Sequence, residues 1–235
     1  MLDNPPLVTI HRGFSRPDPS LVEAFRGAQT SHLADAMEGR GALDYRIEPV
    51  DPDNACFVGT AITAFAYPAD VLAVFAALSE ARPGDVIVCA NDAFTKTAVI
   101  GDLAAGMMKN AGVAAFVTDG LARDKAGIAA AGLPLFCRGI QPNSPALNGP
   151  AVVGAPVVLG DVHVCPGDVI VGDADGVVVV PAGRLALVLE RLRRVQQAEL
   201  RAVERVAAGA TMSEAARAAI AQATIVGYPG KGGNG

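Results

Sequence analysis

The chain has 235 residues, 51% apolar and 18% charged, enough apolar surface for a well-packed core and too little charge for a disordered or fibrous chain. Its net charge of −5 argues against a nucleic-acid groove, which needs clustered Lys and Arg. Arg191, Arg193 and Arg194 do gather, but Glu190, Glu199 and Glu204 interleave with them, the pattern of a solvated helix face. Aromatics are 5% and Trp is absent, so the core must be built from Val, Ala, Leu and Ile.

In chain order, residues 1–17 are rich in Pro, Arg and Asp and read as a loose N-terminal arm. Residues 19–39 read as a helical hairpin with Leu21, Val22, Phe25, Leu33, Ala34 and Met37 on apolar faces. Thr30 or Ser31 is its expected internal cap, and Gly39 and Gly41 its end. Segments 45–50, 56–66 and 85–90 read as strands, separated by turns at Asp51-Pro52-Asp53 and Arg82-Pro83-Gly84. Between the last two, 69–78 reads as a short helix with Val71, Leu72 and Phe75 facing inward.

Residues 99–136 form the segment around which the rest is organised. Leu103, Met107, Met108 and Ala111 recur at helical spacing behind Asp102, the expected N-cap, and Gly112 closes the helix. An apolar run at 113–117 is of strand type, and the chain turns at Asp119-Gly120 to present Arg123 and Asp124 before a second helix. Two polar clusters, Gly101-Asp102 and Arg123-Asp124, therefore flank one buried helix–strand unit. Farther on, 152–159 is an apolar run among Pro and Gly turns. The phrase Pro-Gly-Asp-Val-Ile-Val occurs twice, from Pro83 and from Pro166, and suggests two similar turns in one sheet system. A long helix is expected at 182–208 with Leu185, Leu189, Leu192 and Val195 on one stripe. Thr211-Met212-Ser213-Glu214 is a capping-box signature for a last helix, and the glycine-rich end is expected to be disordered.

Cys56, Cys89, Cys137 and Cys165 are far apart, without a C-x-x-C pair, and are expected to be buried free thiols of a reducing cytoplasm. No secretory signal opens the chain and no apolar run is long enough to span a membrane, so a cytosolic protein is expected. Neither a G-x-G-x-x-G nor a P-loop is present. His11, His32 and His163 are scattered, against a histidine-rich zinc or iron site. Lys96 and Lys125 are the lysines available for a Schiff base near the central segment, and both read as surface charges. Asp173 and Asp175 read as a hairpin turn rather than a metal site, and no G-x-S-x-G elbow supports serine hydrolysis.

Asp102 has two compatible readings, a plain helix cap and the edge of an anion-binding helix N-terminus formed by the amides of Leu103 and Ala104. Arg123-Asp124 is either an exposed pair or a chemical one. The planar Arg fork suits a carboxylate or 2-oxo acid, and the Asp offers hard oxygen to Mg²⁺, which keeps several of its waters.

Together these marks resemble the HMG/CHA aldolases, class II pyruvate aldolases that share a fold with the RraA-like regulators of ribonuclease E. The matching residues are Gly101-Asp102-Leu103, Arg123-Asp124 and Gly132-Leu133-Pro134-Leu135-Phe136. Asp35-Ala36-Met37, Gly59-Thr60-Ala61, both Pro-Gly-Asp phrases and 173–181 extend the likeness over 30–210. The resemblance implies an α/β fold, an RraA-like α-β-β-α sandwich with helical N- and C-terminal additions. One catalytic domain would span 18–208, followed by a helix and tail at 209–235, in homotrimers or homohexamers with sites between subunits. It implies Mg²⁺ or Mn²⁺ held by Asp124 and, through water, by Glu199 of a neighbouring subunit. Arg123 would hold the 2-oxo acid and stabilise its enolate. Asp102 would orient a proton-donating water, and the Gly101 turn with the amides of Leu103 and Ala104 would receive the pyruvate carboxylate.

One departure from the family that the chain resembles is the loop Ala90-Asn91-Asp92-Ala93, which lacks the glycines usual there and bears on specificity for the distal part of the substrate. The function expected is a metal-dependent aldolase cleaving a 4-hydroxy-2-oxo acid, with oxaloacetate decarboxylation as a side activity. No residue in the sequence stands out as the base for the 4-hydroxyl. The alternative is a non-catalytic regulator that binds an RNA-degradation complex.

Overall fold

The computed structural model describes residues 5–226, and the glycine-rich end from Gly227 lies outside them. The chain parts into two compact units, one ending at Arg193 and the other beginning at Arg194.

The first unit opens with β1 (Val8–Ile10), then α1 (Pro19–Glu23) and α2 (Thr30–Ala36). The arm expected to be loose thus carries a strand, which pairs in parallel with a strand that comes later in the chain. Asp18 caps α1 by accepting the Ser20 amide at 2.8 Å, with Pro19 at the first helical position. For α2 the expected local cap is absent. Thr30 is already helical, and the carboxylate of Asp173, far along the chain, accepts both its amide at 2.8 Å and its hydroxyl at 2.7 Å.

Next come β2 (Glu48–Pro49), β3 (Phe57–Ala66), α3 (Leu72–Glu80) and β4 (Asp85–Ala90). The central segment provides β5 (Ala98–Ile100), α4 (Asp102–Asn110), β6 (Ala115–Thr118), β7 (Leu121–Ala122), α5 (Lys125–Ala131) and β8 (Leu135–Cys137). The unit then adds β9 (Ala151–Val153), β10 (Val157–Leu159), β11 (Val162–Val164), β12 (Val169–Asp173) and β13 (Gly176–Val180). Helix α6 (Leu185–Ala207) begins in this unit and continues into the second, which also holds α7 (Glu214–Ile220).

Strands β3, β4, β6 and β8 lie parallel in that order, with β9 and β12 both antiparallel to the long β3. Every residue of β4 is buried, as expected of a parallel strand covered on both faces, and its near-continuous apolar run follows from that. Ile87, Cys89 and Phe116 face a core shared with α3, α4 and α5. Val86, Val88 and Val117 face a second core closed by β10 to β13, outside which α2 packs. These layers make the α/β sandwich expected from the sequence.

The two Pro-Gly-Asp turns are the same turn. Asp85 accepts the amide of Arg82, and Asp168 accepts that of Cys165, each at 2.8 Å, while Gly84 and Gly167 take φ of +87° and +94°. They bring β4 and β12 to opposite sides of Thr60 on β3.

Three local expectations change. On α3 the inward face is Ala73, Val74, Ala76 and Ala77, whereas Phe75 is 36% exposed, because α3 starts at Leu72 and its small residues sit against the sheet. Of the four thiols only Cys89 and Cys137 are buried; Cys56 is exposed and Cys165 intermediate, both lying just outside strand interiors. In the last helix the cap is Ser213, whose Oγ accepts the amide of Ala216 at 3.1 Å, and Glu214 is already helical. Among the described residues no helix is long and apolar enough to cross a membrane.

Candidate functional site

Strands β5 and β7 pair in parallel, Ala98 with Leu121 and Ile100 with Ala122, away from the main sheet. Because both strands run straight into helices, the pairing delivers Gly101-Asp102 and Arg123-Asp124 side by side at the starts of α4 and α5. The Arg123 amide donates to the Ile100 carbonyl at 3.0 Å and locks this register.

Asp124 sits in the left-handed region, φ 59° and ψ 46°, a conformation Asp tolerates better than most residues and one concentrated at functional sites. Its carbonyl accepts the first helical hydrogen bond of α5, from Ile128, but its carboxylate does not cap the helix. The carboxylate turns to Arg123, with Nε to Oδ2 at 3.0 Å, and both side chains are about one-third exposed or slightly more. A pair so accessible contributes little stability, so its geometry asks for another explanation.

Two glycines make the arrangement possible. A Cβ on Gly101 would lie 2.7 Å from Asp124 Oδ2 and 3.1 Å from Arg123 Nε. A Cβ on Gly127, inside α5, would run into Asp102 Oδ2 and lie 2.6 Å from the Asp102 Cβ. The ion pair is thus laid against the turn that starts α4, and the Asp102 carboxylate is laid against α5.

The N-cap of α4 is Gly101, in extended conformation, and Asp102 is the first helical residue rather than the cap. Its Oδ1 accepts the Leu103 amide at 2.7 Å. One of the two amides expected to meet an anion is therefore already held by the neighbouring carboxylate.

Gly101, Asp102, Leu103, Ala104 and Arg123 line a cleft of about 180 Å³, completed by Val71 just ahead of α3, Phe75 of α3, and Ser144 and Pro145. Asp70, which sequence reasoning missed, holds these walls together. Its Oδ1 accepts the Leu72 amide at 2.8 Å and its Oδ2 accepts the amides of Asn148 and Gly149 at 2.5 and 2.9 Å. The signal available was an Asp just ahead of an apolar helix start. Larger hollows of about 330 and 480 Å³ lie elsewhere, both against Arg16 and the second also against Asp85.

Asp119 was also missed. It is 5% exposed and accepts the amides of Asn91 at 2.7 Å and Ala93 at 3.0 Å, and burial pushes its carboxyl above the usual carboxylate range despite those bonds. The loop that lacks glycine still takes the conformation glycine favours, since Asp92 and Ala93 have φ of 54° and 52°. Asp119 stabilises that strained loop from the next strand end.

Asp124 fits a hard divalent ion as a single accessible carboxylate in a cradle kept open by Gly101; among the described residues no group of three His, Cys, Asp or Glu forms a self-sufficient metal site. Glu199 is exposed on α6 in the second unit. His11, His32, His163, Lys96 and Lys125 are not among the residues lining the cleft. Asp173 and Asp175 form the β12–β13 turn, where Asp173 also caps α2.

The model of the RraA-like family (Aldolase/RraA) matches residues 30–179. A protein of Halalkalibacterium halodurans, named "Putative 4-hydroxy-4-methyl-2-oxoglutarate aldolase", is 38% identical over 182 residues, which is 77% of this chain and 86% of that protein. Among solved structures, an uncharacterized protein from Pseudomonas syringae pv. tomato is similar with TM-score 0.73 at 29% identity, covering 84% of this chain and 97% of its own. Streptomyces coelicolor RraAS2, described as an unusual member of the RNase ES inhibitor RraA family, has TM-score 0.71 at 30% identity, covering 81% and 100%.

Proposed function

The chain belongs to the RraA-like family, and from that membership and the cleft at Arg123 we propose that it is a divalent-metal-dependent aldolase. It cleaves a 4-hydroxy-2-oxo acid to pyruvate and a second oxo compound, and decarboxylates oxaloacetate as a side reaction. The observation that carries this reading is the Arg123–Asp124 pair, seated against Gly101 beside Asp102 in a cleft sized for a small acid.

In the cleavage the C3–C4 bond breaks and its electron pair stays on C3 as pyruvate enolate, while the 4-hydroxyl gives up its proton as the second carbonyl forms. Arg123 aims a planar, permanently charged donor at the oxygen where enolate charge develops, an effect usually worth a few kcal/mol. The turn at Gly101 and the Ala104 amide receive the carboxylate of the oxo acid, as does the Leu103 amide once Asp102 releases it. Asp102, half-exposed and braced by Gly127, orients the proton that returns to C3. Asp124 would hold Mg²⁺ or Mn²⁺, with Glu199 of a neighbouring copy as an outer partner. When bound, the ion supplies a Lewis acid for the 2-oxo group.

Pyruvate release from a panel of 4-hydroxy-2-oxo acids and from oxaloacetate tests the proposal. EDTA should abolish release and added Mg²⁺ or Mn²⁺ should restore it. Full activity in EDTA, with borohydride trapping pyruvate on Lys96 or Lys125, would sink the metal-dependent reading. Likeness to RraAS2 favours a second reading, a regulator of an RNA-degrading enzyme. It would lead if no substrate of the panel were cleaved while the protein bound such an enzyme.

A further inference from the structure

We infer that the hollow of about 480 Å³ between the N-terminal segment and the start of β4 binds an organic carboxylate with an apolar body, at a site separate from the cleft at Arg123. Its volume falls within the roughly 300–1,000 Å³ of ordinary ligand pockets. Arg82 and Pro83 lie on the turn that opens β4, whereas Arg123 comes after the carboxyl end of β6, a strand parallel to β4. The hollow and the cleft thus sit at opposite ends of the parallel strands. One wall of the hollow comes from residues 16–26, ahead of the segment 30–179 that the family model matches.

Three arginines line this hollow, and two of them are already held. Arg16 grips Asp85, with Nη2 to Oδ2 at 2.9 Å, and Arg26 pairs with Glu23 one helical turn away. The third is Arg82. Its backbone amide donates to Asp85, but among the described residues its guanidinium has no hydrogen bond or ion pair. Arg82 also lines the neighbouring hollow of about 330 Å³, where Arg12 is taken by Glu80. It is therefore the arginine left over on both sides, exposed and able to turn its planar fork onto a carboxylate.

The rest of the lining gives the ligand its second property. Pro17, Pro19, Val22, Val58 and Pro83 offer an apolar wall beside that fork, with Thr60 as a neutral polar group. An apolar body laid on this wall leaves water, a gain that a small hydrated anion does not have. The combination of a free guanidinium and an apolar wall selects a carboxylate that carries an alkyl or aryl group.

Benzoate is the probe, with benzamide as its neutral counterpart of like shape and acetate as a carboxylate without the apolar body. Calorimetric titration of the full chain in its native assembly should give one benzoate per chain, with benzamide and acetate each at least about tenfold weaker. Arg82→Gln should weaken benzoate by about tenfold or more at an unchanged melting temperature, since the side chain holds nothing in the free protein. Arg12→Gln removes a neighbouring charge and Arg123→Gln the cation of the cleft; both should bind benzoate as the parent does. None of these measurements depends on turnover, so the result stands apart from the aldolase reading. No benzoate binding, equal binding by Arg82→Gln, or binding lost with Arg123→Gln instead overturns the inference. So does a change of particle mass in Arg82→Gln by light scattering, which would make the hollow a contact between copies of the chain.

Discussion

Arg123 and Gly127 are where single atoms decide the outcome. If Arg123 were only a surface charge, Arg123→Lys would be nearly silent, because an exposed pair contributes little. In the proposed site Lys keeps the charge and loses the planar two-point fork, so kcat and kcat/KM should fall together, by on the order of a hundredfold or more. Thermal stability should barely move, since the side chain is one-third exposed and its ion pair with Asp124 is accessible to water. A Lys variant with full turnover on every substrate would remove the central residue of the aldolase reading. Gly127 makes a subtler case. Glycine inside a helix costs about 1 kcal/mol relative to Ala, yet here it leaves room for Asp102. Gly127→Ala would set its methyl against the Cβ as well as the carboxylate of Asp102, so the start of α4 must move; the melting temperature should fall, and enolate protonation should slow about tenfold as Asp102 is displaced. Pyruvate deuterium exchange reads that rate directly, and an unchanged rate would free Asp102 of its assigned role.

At the scale of elements, the N-terminal segment is held by the pairing of β1 with β9 and, beyond that strand, by ion pairs from Arg12 to Glu80 and from Arg16 to Asp85. Arg16 grips Asp85 with both guanidinium ends, Nη2 to Oδ2 at 2.9 Å, and Asp85 is 2% exposed. The carboxylate also caps its own Pro-Gly-Asp turn at the start of β4. Arg16→Ala would leave a buried charge with backbone donors alone, so a loss of up to about 3 kcal/mol is expected. Urea unfolding should show a lower midpoint at unchanged slope, and a midpoint equal to that of the parent would reduce the pair to a surface contact. The repeated phrase was legible in the sequence as two like turns. That Asp85 takes Arg16 while Asp168 takes the Ala182 amide at 2.9 Å was not, because each partner comes from a distant element.

For the whole molecule the open quantity is the number of copies. In the second unit, Leu200, Val203 and Val206 recur every three residues along α6 and are 65%, 56% and 67% exposed. That spacing lines them along one side of a helix, an apolar stripe of the kind that marks an association surface. Light scattering should give a mass that is a multiple of 23.9 kDa, and Val203→Glu should lower it along with the activity. A stable, fully active monomer would exclude Glu199 from any shared site.

Element type was largely a matter of local sequence. The unbroken run in β4 announces a strand buried on both faces, the Gly112 φ of +76° ends α4 where the glycine stands, and Gly101-Asp102 and Arg123-Asp124 are recognisable as polar residues at helix starts. These features depend on side-chain periodicity and on backbone conformations that a few residues prefer, and both can be read within one turn or strand. Which elements become neighbours depends on strand order and register, and these are settled by burial across the whole sheet. Only the folded chain therefore set β5 against β7, so that Asp124 lies over Gly101, and turned Phe75 outward to wall the cleft. The same long-range pairing joined Asp70 to Asn148 and Asp119 to Asn91, where each carboxylate satisfies amides that its own neighbours in sequence do not supply.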